Sequence, residues 1–212
     1  NVNKQSASLV PHAPYSVSPE LLKKIYQNGK KSLKCIHHQE SKAEKQLFLK
    51  GKKSFATLFE KKGEDVSWIK KMGVSSSHYG VLKYLSKDEK ILLVHNTYSS
   101  QQDINLIEMN LDKAYWCTCP KANWFIERQL PNYKLWRKNN LKITLGTDSL
   151  ASNQSLSILE EMKFIQKKFS EISTNELLLW ACKNGAEFLA LPNLGSFTPG
   201  FKPGVVLIKN TR

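Results

Sequence analysis

Long apolar stretches are missing from this chain. Its apolar runs, such as Ile91-Leu92-Leu93-Val94, are strand-sized. A membrane-spanning helix needs roughly 20 apolar residues, so no span is expected. Its first residues, Asn1-Val2-Asn3-Lys4-Gln5, hold no initiator Met and no charged-then-apolar pattern. We read that beginning as a front end that has been cut, and expect a cytoplasmic setting. Cysteine is scarce and poorly spaced for metal or redox work. The four lie at 35, 117, 119 and 182, and Cys117-Thr118-Cys119 is a C-x-C with no second pair after it. That excludes zinc fingers and C-x-x-C oxidoreductases and leaves reduced, mostly buried thiols as the expectation. Low-complexity tracts and repeats of solenoid length are also absent.

Acidic residues are outnumbered, 18 against 32 Lys and Arg, for a net charge of +14. Such an excess invites a nucleic-acid reading. The lysines, however, are scattered in pairs such as Lys23-Lys24, Lys52-Lys53 and Lys167-Lys168. That is the pattern of solvated helix faces, and no nucleic-acid module accompanies it, so nucleic acid is not expected as a partner. With 212 residues the chain is long enough to bury one sizeable core.

What is present is a cadence of short apolar runs and amphipathic segments. Ser8-Leu9-Val10 reads as extended, then Ser18-Pro19-Glu20 starts a helix with a hydroxyl cap, a first-turn proline and an acid. Further strands are expected at Ser32–His37, Ile91–His95, Ala114–Cys117 and Leu141–Leu145. Helices are expected at 41–62, 103–111, 155–169 and 174–189, with a short one near 79–85 in an otherwise irregular stretch from Asp65. The last long helix opens on Ser173-Thr174-Asn175-Glu176, a capping box. A turn-rich tail from Gly195 feeds one short strand, Val205–Ile208. Alternating strands and helices imply parallel βαβ units.

An open sheet and a closed barrel share that cadence; the polar residues separate them. His12, His37, His95 and Asp148 each follow an apolar strand. Barrel enzymes place their chemistry at that end, and one mouth would gather all four. Imidazole and carboxylate together suit a catalytic divalent ion such as zinc, which makes hydroxide available at neutral pH. Of the neighbours His37 and His38, only one can face the barrel axis, because adjacent strand residues point oppositely. Glu40, three residues beyond His37, is placed to move a proton, or else is an ordinary acid of the charged stretch that follows. Asp148, in Gly146-Thr147-Asp148-Ser149, suits a metal ligand that also accepts a proton; a helix N-cap is the rival reading.

Taken together, these runs resemble the amidohydrolase superfamily, in its branch of nucleobase and nucleoside deaminases, S-adenosylhomocysteine-type deaminases and triazine chlorohydrolases. The resemblance rests on Pro11-His12-Ala13-Pro14-Tyr15-Ser16, His37-His38-Gln39-Glu40-Ser41 (the family's H-x-x-E), Val94-His95-Asn96, Cys119-Pro120-Lys121-Ala122-Asn123 and Leu145 through Asn153. The tail Gly195-Ser196-Phe197-Thr198-Pro199-Gly200 resembles that family's exit from the barrel into a small β-domain.

The resemblance implies an α/β fold, the C-terminal portion of a TIM-like (β/α)8 barrel. Strands four to eight would fall in residues 1–190, and 191–212 would begin the return segment of the small β-sandwich. By the same resemblance, His37 and Asp148 are metal ligands and Asp148 is also the general base. Glu40 is the proton shuttle, and His95 bonds the nucleophile or the reacting group. His12 and Asn123 contact substrate, Asn123 from the loop after strand seven. The implied cofactor is one divalent metal, zinc or alternatively iron. The implied reaction is hydrolysis of an exocyclic amine from a nitrogen heterocycle by metal-bound hydroxide.

Two departures qualify the likeness. No H-x-H occurs, and that pair supplies two further metal ligands from the family's first strand. We therefore expect the partner of this chain to be the missing N-terminal part of the same barrel, and expect the chain alone to be inactive. Homo-oligomerisation of the longer form stays open. The closing motif also reads Lys202-Pro203-Gly204-Val205, without the acidic residue many relatives carry there. The H-x-E with P-C-x-x-C pattern of cytidine-deaminase-type zinc enzymes is absent, so that class is excluded. The alternatives are hydrolysis of another C–N or C–Cl bond, of a cyclic amide or triazine, and a degenerate, non-catalytic basic binding protein.

Overall fold

The computed structural model describes residues 7–28, 33–51, 57, 59–63 and 73–208. Four strands form one parallel sheet: β1 (Lys34–His38), β2 (Lys90–His95), β3 (Lys113–Thr118) and β4 (Ile143–Leu145). Their order in space is their order in sequence. A doubly wound sheet reverses direction at a switch point. Consecutive order with right-handed crossovers winds one way only, as in a segment of a barrel. The register sets His37 opposite Val94 and His38 opposite His95, so the two histidine-bearing strands end level with one another.

Helices α1 (Pro19–Asn28) and α2 (Lys42–Lys50) flank β1, and α3 (Gln101–Asn110) follows β2. After β3 come α4 (Pro120–Glu127) and α5 (Tyr133–Lys138), and after β4 come α6 (Ile158–Lys168), α7 (Thr174–Leu178) and α8 (Asn184–Phe188). A π-helical turn, Leu179–Lys183, joins α7 to α8, and another spans His78–Leu82. Serine recurs as the helix opener. Ser41, Ser100, Ser157 and Ser173 each accept the N–H of the acid three residues on. Such caps satisfy amides that the first turn leaves without partners.

The apolar sides of these helices meet the sheet in one core. Ile36, Ile91, Leu93 and Trp116 project from the strands onto Phe48, Ile104, Ile107, Tyr133, Trp136 and Ile165, all at most 1% exposed. Trp116 and Trp136 pack with ring centroids 5.8 Å apart. Aromatic residues of this size bury roughly 150–250 Å² each and dominate the energetics of such a layer.

Several expectations need correction. Ser8–Val10 forms no strand among the described residues; its segment meets the sheet at His37, whose backbone N–H donates to the His12 carbonyl at 2.9 Å. The helix expected over 41–62 is broken at Gly51, whose left-handed φ of 59° caps α2 on the Leu47 carbonyl; residues 57 and 59–61 are again helical. The irregular stretch expected from Asp65 lies outside the described residues as far as 72. Residues 119–138 hold two helices, so Asn123 stands on α4 rather than in a loop. Val205–Ile208 forms no strand: nothing among the described residues pairs with it, and Val205 and Val206 are more than 80% exposed. A β-ladder needs a neighbour. No described helix is long and apolar enough to cross a membrane.

Candidate metal centre

Parallel strands of level ends deliver their C-terminal residues to one place. Single ligand atoms of His37, His95 and Asp148 all lie within 4.8 Å of one another. The His37 and His95 rings stack at 5.1 Å, and His12 tilts against His37 at 4.8 Å. Glu40 brings Oε1 to 3.5 Å from His95 Nε2. The strand ends also share a backbone feature. His95, Asn96 and Asp148 have left-handed φ values of 76°, 54° and 57°, and Gln39, between His37 and Glu40, has 47°. Non-glycine residues hold such angles at a cost of about 1–2 kcal/mol each, and strain of this kind concentrates at functional sites.

Hydrogen bonds fix which ring atoms face the cluster. The His12 carbonyl can only accept, so at 2.8 Å it takes the Nδ1–H of His37 and leaves Nε2 as that ring's free lone pair. Ligating histidines are commonly held in this way by a carbonyl or carboxylate behind them. His95 Nδ1 donates to Asn123 Oδ1 at 2.8 Å. The Asn123 amide is oriented in turn, because its Nδ2 donates to the His95 carbonyl and to Thr97 Oγ1. His95 Nε2 is buried and has no hydrogen-bond partner. A buried polar atom without a partner is costly unless something else fills the site. His37 and Asp148, an imidazole and a carboxylate meeting beside this atom, are donors that zinc accepts and fit as two ligands of a catalytic ion.

His38 takes the opposite face. It is fully buried, with Nδ1 on Asn96 Oδ1 at 2.7 Å and Nε2 on the Ser77 hydroxyl at 2.8 Å. Desolvation pushes its imidazole below the ordinary range, so it stays neutral and structural. Desolvation, and then the adjacent His37, also push His12 down; its Nδ1 meets Ser16 Oγ at 2.7 Å.

Asp148 is no helix cap. The next helix, α6, begins ten residues later with Ser157 as its N-cap, and Ser152 Oγ instead donates to Asp148 Oδ2. Asn153 ties this loop down, donating to the Thr147 carbonyl at 2.8 Å and to Glu161 Oε1 at 2.6 Å. Glu161, fully buried, also accepts the Lys121 N–H at the start of α4. Beneath the loop lie Cys117 and Cys119, both free and buried. A methyl group on Gly146 would sit 3.0 Å from each sulfur, so any side chain there would have to push the two thiols back by a few tenths of an ångström.

Asn123, expected to contact substrate, is 1% exposed and spends its amide on His95 and Thr97. The sequence reading also missed Glu44 and Glu161. Each sits among charged helix residues, and only the Ser-x-x-Glu spacing of Ser41 to Glu44 hinted at a local role.

The profile of the amidohydrolase family matches residues 2–211, and the chain belongs to that family. It is 29% identical over 197 residues to an adenosine deaminase of Helicobacter pylori, covering 90% of this chain and 47% of that protein. A 5-methylthioadenosine/S-adenosylhomocysteine deaminase of Desulfitobacterium hafniense is 24% identical over 205 residues, covering 93% of this chain and 42% of its own length. Among solved structures, Helicobacter pylori aminofutalosine deaminase in complex with methylthio-coformycin superposes with a TM-score of 0.77 at 27% identity. That match covers 90% of this chain and 47% of the enzyme. The chain thus spans about half the length of the relatives it matches.

Proposed function

We propose that this chain supplies the C-terminal half of a metal-dependent deaminase site that removes an exocyclic amine from a nitrogen heterocycle, with adenosine-type nucleosides as the substrate class. The observation that carries the reading is the convergence of His37, His95 and Asp148 ligand atoms within 4.8 Å. The names of the relatives above support the substrate class. His37 Nε2 and one Asp148 oxygen hold the ion, zinc by the donor set, with iron the alternative. Two more ligands come from an H-x-H outside this chain. The ion, when bound, supplies a water acidic enough to attack at neutral pH.

The chain's own groups then handle the protons. Asp148 takes a proton from the attacking water. His95 Nε2, presented as an acceptor because Nδ1 is held by Asn123, orients that water toward the ring carbon. Both protons of that water end on the substrate: Glu40 carries one to the exocyclic nitrogen, the C–N bond breaks and ammonia leaves, and the other goes to the ring nitrogen beside the new carbonyl. His12 lies at the rim, against His37 and partly open to solvent, and contacts the heterocycle.

The test compares Glu40→Gln with Asp148→Asn in a form containing the complete barrel. Bound metal and steady-state deamination are measured on adenosine, 5-methylthioadenosine, S-adenosylhomocysteine and guanine. A shuttle does not touch the resting ion, so Glu40→Gln should keep the metal and lose turnover by roughly a hundredfold or more. A ligand that is also the base does both jobs, so Asp148→Asn should lose metal and turnover together. Near-normal turnover in Glu40→Gln would reduce Glu40 to a surface acid.

A further inference from the structure

Glu44 takes no part in the chemistry above, yet its carboxylate is completely buried. Removing a carboxylate from water is expensive, and burial pushes this one up to about 7. Its surroundings show what the buried acid does. Ser41-Lys42-Ala43-Glu44 has the Ser-x-x-Glu spacing of a capping box, in which the acid returns to the N–H of the cap residue. α3 closes such a box normally, with Asp103 Oδ2 accepting the Ser100 N–H at 2.9 Å. α2 does not. The Ser41 hydroxyl accepts the Glu44 N–H at 3.1 Å. The Glu44 carboxylate, however, reaches past the cap: Oε1 accepts the N–H of Gln39 at 3.0 Å and Oε2 that of Glu40 at 3.1 Å.

Those two amides belong to the strained turn between the His37 strand end and Glu40. Gln39 holds φ 47° there. Strain of this kind persists only where the surroundings over-determine it, and two backbone hydrogen bonds to one buried carboxyl do so. The turn then aims Glu40 inward, with Oε1 3.5 Å from His95 Nε2.

We infer that Glu44 is a positioning residue for the proton shuttle: its two carboxylate oxygens lock the left-handed Gln39–Glu40 turn and so set where Glu40 meets the leaving amine. Glu44 touches neither metal ligands nor substrate. The inference rests on the role proposed for Glu40.

The experiment is a double-mutant cycle in the complete barrel, reading kcat, KM and bound metal. Glu44→Gln keeps size and shape but turns one acceptor oxygen into an NH2 group that cannot take its backbone N–H. The expected loss in kcat is about tenfold, as for outer positioning groups generally, with KM and metal content within about twofold. In the Glu40→Gln background the same change should cost nothing further, because the group it positions is already disabled. Should Glu44→Gln fail to fold, Glu44→Asp retains the charge on a shorter stem, and the same non-additivity is expected. Equal losses with and without Glu40, an unchanged kcat, or loss of metal along with kcat would overturn the inference. Failure of the shuttle itself reads differently: Glu40→Gln would keep its turnover, removing the premise and the inference together.

Discussion

At the scale of single residues, the site is a set of side chains whose free atoms are chosen by what lies behind them. His37 and His95 each spend Nδ1 on an acceptor, His12 O and Asn123 Oδ1, and present Nε2 forward. Asn123 is therefore worth more than a contact. Asn123→Leu removes the acceptor that selects the His95 tautomer and should lower kcat by roughly 10–100-fold with metal content kept. Asn123→Asp retains an acceptor at that position and should lose less. Steady-state kinetics beside metal analysis checks the pair, and equal losses would mean that Asn123 matters only for packing. Three buried carboxylates behave alike at this scale. Glu44 clamps the turn after β1, Asp103 holds the start of α3, and Glu161 joins the Asp148 loop to α4.

At the scale of elements, the strand ends do the positioning and the helix caps hold them. Asp103 shows how much one cap carries. It accepts Ser100 N–H and Oγ on one oxygen and Ser75 Oγ on the other. Burial alone would raise its carboxyl, but these hydrogen bonds outweigh burial and hold it at about 2. Its folded value lies below the ordinary 3.8, so the stabilisation is present above about pH 4 and is lost as pH falls toward 2. Asp103→Ala should cost about 1–2 kcal/mol near neutral pH. Asp103→Asn should flatten the acid-side loss, and urea melts at pH 7, 4 and 2.5 would show both effects.

Much at this scale is legible from sequence. Continuous apolar runs mark β1 to β4, and serine caps mark where α1 and α7 begin. The helices after β3 are not legible. α4 and α5 are eight and six residues long, too short to show a helical period, and Pro131 stands between them. His37, His95 and Asp148, at or just beyond strand ends, can be read because apolar-then-polar is itself a pattern; His12 follows an extended run that forms no strand. Glu44 and Glu161 cannot, because a buried acid on a charged helix looks like a solvated one until the loop it holds is seen. Val205–Ile208 fails for the opposite reason: its apolar run is strand-like, but strand formation depends on a neighbour.

At the scale of the whole molecule, the four consecutive parallel strands among the described residues carry the candidate metal centre, and the chain belongs to a family whose matched members are about twice as long. The account holds that this chain contributes His37 and Asp148 and that the remaining ligands come from elsewhere in the barrel. Two protein ligands hold zinc far more weakly than the three or four of a finished catalytic site. The direct measurement is zinc affinity by chelator competition, with deamination assayed in parallel. It is made on the 212-residue chain alone and on a complete barrel containing it. The account predicts that the chain alone gives up its zinc to the chelator and does not deaminate. The complete barrel should retain one metal and turn over, and Asp148→Asn should abolish both. Tight, stoichiometric zinc in the 212-residue chain alone would contradict it.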